Sequence, residues 1–341
     1  MYNVKKLLSL ILMLSITILI VACNNTTEMI DDQSYDDDNN LIVVGFSQPG
    51  AESAWRVALT DSVKEAFTEE KGYKLIYKDG QSKQDNQIRD IRTFIQQGVD
   101  YIILSPIVET GWDTVLEEAK EADIPVIICD RDVMVSNEAL YTAFVGSNFA
   151  SEGKKAITYM ENKYKPDAEG NLPRVNIVHI QGTMGSSAQI GRSKALEKGL
   201  EEHENWKVVA EGSGDFTKAK AKEIMKNALQ QVHSSEIDVI YCENDEEALG
   251  AIAALDEAGI PHGDGTGITI ISFDATTSAL KLCMEGKISL VVECNPLQGN
   301  YLYNMISLLE EGEAAPKLTY VDEGQFTKED LTEEFIKERK Y

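Results

Sequence analysis

The sequence predicts an α/β fold of two parallel-sheet lobes in tandem, and three observations predict it. From Leu41 onward, short apolar runs rich in β-branched residues alternate with segments of helical period, the pattern of a parallel sheet buried under helices. The alternation runs twice, with Gly and polar residues around 146–151 between the two series. About 300 residues take part, more than one hydrophobic core usually supports.

Taken in order, the first strand is Leu41 to Phe46, followed by a helix that places Trp55, Leu59, Val63 and Phe67 on one face at i+4 spacing. Further strands fall near Tyr73 to Lys78, Tyr101 to Leu104 and Val126 to Cys129, with helices around Ile88-Ile91-Ile95 and Trp112-Val115-Ala119. The run Tyr141 to Val145 leads into the second series. Its strands lie near Val175 to Ile180, Trp206 to Ala210, Val239 to Tyr241, Ile268 to Ile271 and Ser289 to Val292, each followed by a helical segment. Asn295-Pro296 opens a helix to about Glu311 that fits either lobe. The repeat of roughly 30 residues is the ordinary βαβ length and implies no solenoid.

Ahead of these series, Lys5 and Lys6 precede an apolar run from Leu7 to Val21 that closes on Ile20-Val21-Ala22-Cys23. The run is short of the ~20 residues needed to span a bilayer, so residues 1–22 read as an export signal and Cys23 as a lipidation site. Residues 23–40 carry six acids and no base, which suits a solvated tether better than a calcium loop, since the spacing lacks the EF-hand alternation and its glycine. Removing the signal takes away two lysines and no acid, so the formal charge of −25 becomes −27, a surface that repels nucleic acid. Cys129, Cys242, Cys283 and Cys294 form no C-x-x-C and read mainly as buried thiols, with a single disulfide as the alternative. His179, His203, His233 and His262 pair with no Cys or Glu at ligand spacing, so neither a metal nor a cofactor is expected.

In an open parallel sheet, ligands bind beyond the carboxyl ends of the strands, where loops converge and helix N-termini point free N–H groups at the cleft. Those ends carry Ser47-Gln48 with Glu52, Trp55 and Arg56, then Asp79 and Gln81, Ser105, and Asp130-Arg131. In the second series they carry Gln181 and Arg192, Asp215-Phe216, Glu243-Asn244-Asp245, Asp274, and Glu293 with Asn295. Carboxylates that accept from adjacent hydroxyls, guanidinium forks that donate to them, and rings that cover a C–H face are what a polyol requires. Any one of these residues could be no more than a helix cap, Asn244 and Asp274 above all. The set, with Trp55-Arg56 and Asp130-Arg131 in it, exceeds what capping needs.

Motifs for catalysis are missing. Gly45-Phe46-Ser47-Gln48-Pro49 has Pro where a nucleophile elbow needs Gly, and Gly182-Thr183-Met184-Gly185 lacks the leading G-x-G of a dinucleotide site. Asp130 with Glu293 could imitate a glycosidase pair, but a carboxylate beside Arg131 makes a poor general acid.

From about Leu41 to its C-terminus the chain resembles the type I periplasmic sugar-binding proteins of ABC importers, and within them the galactofuranose-binding branch. The likeness rests on Gly45-Phe46-Ser47-Gln48, Glu52-Ser53-Ala54-Trp55-Arg56, Asp79-Gly80-Gln81 and Thr110-Gly111-Trp112. It continues through Ile127-Ile128-Cys129-Asp130-Arg131, Gln181-Gly182-Thr183, Gly214-Asp215-Phe216-Thr217, Asn244-Asp245 and Glu293 before Pro296. The resemblance implies two Rossmann-like lobes joined by a three-strand hinge, crossing near Gly146-Ser147, Cys294-Asn295 and Leu318-Thr319. The lobes would then be 41–146 plus 295–317 and 147–294 plus 318–341. It implies that Trp55, Arg56, Asp130, Arg131, Arg192, Phe216, Asn244, Asp274 and Glu293 line the ligand site, to which the strand ends add Ser47, Glu52 and Ser105. With the export signal and Cys23, the expectation is a monomeric lipoprotein outside the cytoplasmic membrane, periplasmic where an outer membrane exists. Such a protein closes on a monosaccharide, with a galactofuranose-like hexose favoured, and delivers it to a permease and its ATPase. A sensor serving a receptor kinase and an exported glycosidase are the alternatives, whereas a sugar-responsive repressor would need a basic DNA-binding segment where the export signal stands. Pro49, Ala275 and Cys294 depart from the family pattern and bear on which sugar is bound.

Overall fold

Strand β1 (Ile42–Gln48) pairs in parallel with β2 (Tyr73–Asp79) on one side and β3 (Tyr101–Leu104) on the other. The computed structural model of the protein describes residues 41–265 and 267–341; the predicted export signal, Cys23 and the acidic tether lie outside the described residues. Beyond β3 come β4 (Val126–Asp130), β5 (Ala143–Gly146) and β11 (Leu318–Tyr320), all parallel, in the order β11-β5-β4-β3-β1-β2. Every residue of β3, β4 and β5 is buried, as expected of strands covered on both faces.

A second sheet repeats the plan with β6 (Val175–Gln181), β7 (Trp206–Ser213), β8 (Val239–Cys242), β9 (Thr269–Asp274), β10 (Leu290–Glu293) and β12 (Gln325–Phe326). Its order is β12-β10-β9-β8-β6-β7, parallel apart from the antiparallel edge pair β10·β12. This is the predicted fold class. Among the described residues no helix is long and apolar enough to cross a membrane.

Helices α1 (Ala54–Ala66), α2 (Gln84–Gln97) and α3 (Asp113–Glu121) cover the first sheet. On α1 the predicted face is buried: Leu59 and Val63 are wholly inside and Trp55 and Phe67 nearly so. Each such side chain contributes roughly 1.5–3 kcal/mol. Helices α4 (Phe149–Lys163), α5 (Ser187–Glu202), α6 (Lys218–Gln231), α7 (Asp245–Ala258) and α8 (Thr277–Met284) cover the second sheet. Helix α9 (Gly299–Glu310) returns to the first lobe, where the Gly299 N–H donates to Ser62 Oγ of α1 at 3.0 Å.

The chain passes between sheets at residues 147–148, 294–298 and 321–324. The last crossing differs from expectation. Strand β11 pairs with β5, Leu318 opposite Phe144 and Tyr320 opposite Gly146, so residues 318–320 belong to the first sheet and the chain crosses after them. Strands β11 and β12 and the short helix α10 (Glu333–Glu338) carry no clear period, and pairing with a formed sheet edge, not local pattern, makes them strands. All four cysteines of the described chain are free and buried.

Candidate ligand-binding site

The carboxyl ends of the two sheets face a small shared cavity. The first lobe lines it with Glu52, Ser53, Trp55, Arg56, Asp130 and Arg131, and the second with Phe149, Ala188, Arg192, Phe216, Asn244 and Asp274. Cys294, on the second crossover, completes the wall. The lobes also touch directly, where Glu109 N–H donates to Gly185 O at 2.9 Å and Asp132 N–H to Ser187 Oγ at 2.8 Å.

In the first lobe, two guanidinium groups share two carboxylates. Arg56 Nε donates to Glu52 Oε1 at 3.0 Å and its Nη1 to Asp130 Oδ2 at 2.5 Å, while Arg131 Nη2 reaches the same Glu52 oxygen at 3.2 Å. Burial opposes the charge on Arg56, but Asp130 and Glu52 outweigh it and hold its pKa above the ordinary value. Arg131 is depressed to about 10, by burial first and then by the like charge of Arg56. Glu52 Oε2 is buried and has no partner, so it is an acceptor free for an incoming hydroxyl.

Arg192 anchors the second lobe from α5. Its Nε donates to Glu152 Oε2 at 2.7 Å, its Nη1 to the Glu243 carbonyl, and its Nη2 lies 3.8 Å from Asp274 Oδ1. Burial, then the neighbouring Asp245, raises the Asp274 pKa well above the usual carboxylate range despite Arg192. Asn244 combines both roles foreseen for it: its Oδ1 caps α7 by accepting Glu247 N–H at 2.9 Å, and its side chain lines the cavity. Asp274 is no cap, because Thr276 caps α8.

Two strand ends, Asp130 (φ 64°) and Asp274 (φ 113°), and Phe216 (φ 59°) in the turn after β7 have left-handed backbone, a conformation that costs non-glycine residues about 1–3 kcal/mol each. All three line the cavity, where such strain collects. Two glycines permit the approach. A Cβ on Gly146 would meet the Asp130 carbonyl oxygen at 2.5 Å, and one on Gly182 would meet the Phe216 ring at 2.0 Å. The ring in turn lies under Arg131 of the other lobe, 5.1 Å from the guanidinium carbon.

Nine of the twelve residues named from sequence line the cavity; Ser47, Ser105 and Glu293 do not. Ser47 donates to Asp90 Oδ2 behind the sheet. Ser105 stands one layer back, its hydroxyl accepting from Arg56 Nη1 at 3.1 Å and bonding Asp130 Oδ2 at 3.2 Å. Glu293 is turned to the chain's end, accepting from Arg339 at 2.7 Å, Tyr341 Oη at 3.0 Å and Gly324 N–H at 2.6 Å. Sequence reasoning missed Ser53, Phe149, Ala188 and Cys294. Phe149 opens the helix just past the first crossover, a position that could have marked it. Cys294 acts through its carbonyl, which accepts Trp55 Nε1 at 2.6 Å, and no side-chain signal reveals that.

Paired arginines and carboxylates between aromatic walls, drawn from two α/β lobes with three chain crossovers, define a two-lobed binder of a small polar molecule. The chain belongs to the periplasmic binding protein domain family, whose profile matches residues 44–314. It is 35% identical to the galactofuranose-binding protein YtfQ of Escherichia coli (strain K12) over 300 residues, 87% of this chain and 92% of that one. A Mycobacterium smegmatis protein solved in complex with β-D-fucofuranose is 39% identical with a TM-score of 0.78, covering 84% of this chain and 92% of its own. The periplasmic component of the arabinose ABC transporter from Shewanella sp. ANA-3, bound to α- and β-L-arabinofuranose, is 36% identical with a TM-score of 0.80, covering 87% and 95%.

Proposed function

We propose that the protein is the extracytoplasmic substrate-binding lipoprotein of a sugar ABC importer and binds one monosaccharide in its furanose form, a galactofuranose-like hexose before other hexoses or pentoses. The observation that carries this reading is the cavity itself. Its three guanidinium groups are each already paired with a carboxylate, Arg56 with Glu52 and Asp130, Arg131 with Glu52 and Arg192 with Glu152, an arrangement that favours an uncharged ligand over a sugar acid or phosphate. Trp55, Phe149 and Phe216 supply the ring faces that cover sugar C–H groups. Three relatives described above are named for, or solved with, furanose sugars, which supports the ring form.

Binding proceeds by lobe closure. A ligand touching Arg56 and Asp130 on one side and Arg192, Asn244 and Asp274 on the other gains contacts only when both lobes face it, so it shifts the population toward the closed form that the permease and its ATPase engage. The anchor at Cys23 keeps a monomeric binder near that permease on the outer face of the membrane. Carboxylates locked to arginines suit binding and not turnover. Native mass spectrometry of freshly purified protein, followed by a thermal-shift panel of pentoses and hexoses, tests this: a co-purified monosaccharide mass and one strong responder are expected. A flat panel, or turnover of chromogenic glycosides, would overturn it.

A further inference from the structure

One carboxyl touches all three chain crossovers. Glu323 stands on the third; its Oε1 accepts from Ser147 Oγ on the first and from Asn295 N–H on the second, the latter at 2.9 Å. Ser147 Oγ also lies 3.3 Å from Cys294 Sγ, and the Cys294 carbonyl holds Trp55 in the cavity wall. From α4, Glu152 faces the same point: one carboxylate oxygen of Glu152, Cys294 Sγ and one oxygen of Glu323 lie within 4.8 Å of one another. Glu152 is fully buried; its Oε2 is taken by Arg192, and its Oε1 has no partner.

The charged groups around this point are few. Lys155 Nζ of α4 donates to the main-chain carbonyls of Glu323 and Gly324, at 2.8 and 3.3 Å, not to the carboxylate. Glu293, at the end of β10, is occupied by Gly324 N–H, Arg339 and Tyr341. Arg192 of α5 is committed to Glu152, the Glu243 carbonyl and Asp274. Neither Lys155 nor Arg192 hydrogen-bonds the Glu323 carboxylate, and a buried Glu152 oxygen lacks a donor.

We propose that Glu323 is a positioning residue for ligand binding: as the neutral acid, facing Glu152, it holds the three crossovers in the arrangement that presents both lobes to the cavity. Burial, and then the charge of Glu152, push Glu323 up to about 8, and burial raises Glu152 as well. The folded-state pKa is above the ordinary glutamate value, so the stabilising neutral form prevails at lower pH and is lost as pH rises through about 8. Two carboxylates then confront each other at the hinge, and the chain from Glu152 through Arg192 carries the disturbance to the cavity.

The inference rests on the sugar-binding reading, and its test separates the two. The purified protein and its Glu323→Gln and Glu323→Ala variants are titrated with the responding sugar by calorimetry between pH 6.5 and 9.5, and melted without sugar over the same range. Wild-type affinity is expected to weaken about threefold or more from pH 7 to 9, with a parallel fall in the ligand-free melting temperature. Glu323→Gln, which keeps the acceptor for Ser147 and Asn295 but cannot ionise, should bind like wild type at pH 7 and show shallower slopes in both measurements. Glu323→Ala should bind more weakly at every pH, which glutamine repairs. Affinity profiles that run parallel in wild type and Glu323→Gln would overturn the proposal. Should no sugar bind, the function reading falls, and equal pH slopes in the ligand-free melts would overturn the neutral-acid hinge on their own.

Discussion

Gly182→Ala tests the cavity wall through a residue that does not line it. The Gly182 backbone is not in the left-handed region, so alanine adds no backbone strain; its cost comes from where the Cβ goes. The added atom would lie 2.0 Å from two carbons of the Phe216 ring and 2.7 Å from a third, against the 3.5–4.0 Å of a relaxed carbon contact. Something must move by about 1.5 Å. The Gly182 main chain is held on both sides, its N–H donating to Glu243 Oε2 and its carbonyl accepting from Ser213 Oγ, each at 2.8 Å. Phe216 is pinned too, its N–H donating to Glu247 Oε1 at 3.0 Å and its carbonyl accepting from Asn244 at 3.3 Å. The ring therefore swings, leaves its place under Arg131 and intrudes on the cavity. Overpacking of this kind costs about 1–3 kcal/mol of stability. A loss of about 1.4 kcal/mol in binding is tenfold in Kd, and at least that is expected. Calorimetric titration with the responding sugar and a urea melt measure the two effects, and a Gly182→Ala, Phe216→Leu double variant should regain stability without regaining affinity. Affinity within about twofold of wild type in Gly182→Ala would refute the reasoning, because the ring would then be no wall of the site.

Three further outcomes follow from the same geometry. Asn244→Ser keeps an N-cap for α7, so stability should change by less than about 1 kcal/mol, while the shorter side chain leaves the cavity and affinity should fall about tenfold or more; comparable small losses in both would make Asn244 a cap alone. Arg192→Met leaves Glu152 buried without its counter-ion and should cost about 3–5 kcal/mol in a denaturant melt. Adding Glu152→Leu should return most of that stability but no binding. Burial raises Asp245 to about 6, against the hydrogen bonds it accepts from Ser272 and Thr276. Its stability contribution is thus whole below about pH 4 and is lost as pH climbs through 6, so Asp245→Asn should flatten that part of the wild-type stability profile, read from urea melts between pH 4 and 7.

Much of the architecture was legible because buried parallel strands are written as short apolar runs. The strand ends were less so. β1 was expected to stop at Phe46 but continues through Ser47 and Gln48, both fully buried, since Gln48 finds partners in Thr60 and Tyr77 from elsewhere in the chain. The same holds for β7, which runs on to Ser213. Polar residues look like loop until the partner that satisfies them is known.

The sequence by itself determined the alternation of strands and helices, the two series, and a shortlist of strand-end residues of which nine line the cavity. Those follow from local period and from the rule that open parallel sheets bind at their carboxyl edges. Only the tertiary structure decided how each shortlisted group is used. Glu293 and Ser105 carry side chains as suitable as those of Glu52 and Asn244, yet Glu293 serves the chain terminus and Ser105 the second layer. Nor could the sequence show Glu323 at the meeting of the crossovers, because Ser147 and Asn295 reach it across 176 and 28 residues of chain. Which groups share a buried pocket depends on long-range packing, and that has no local period to read.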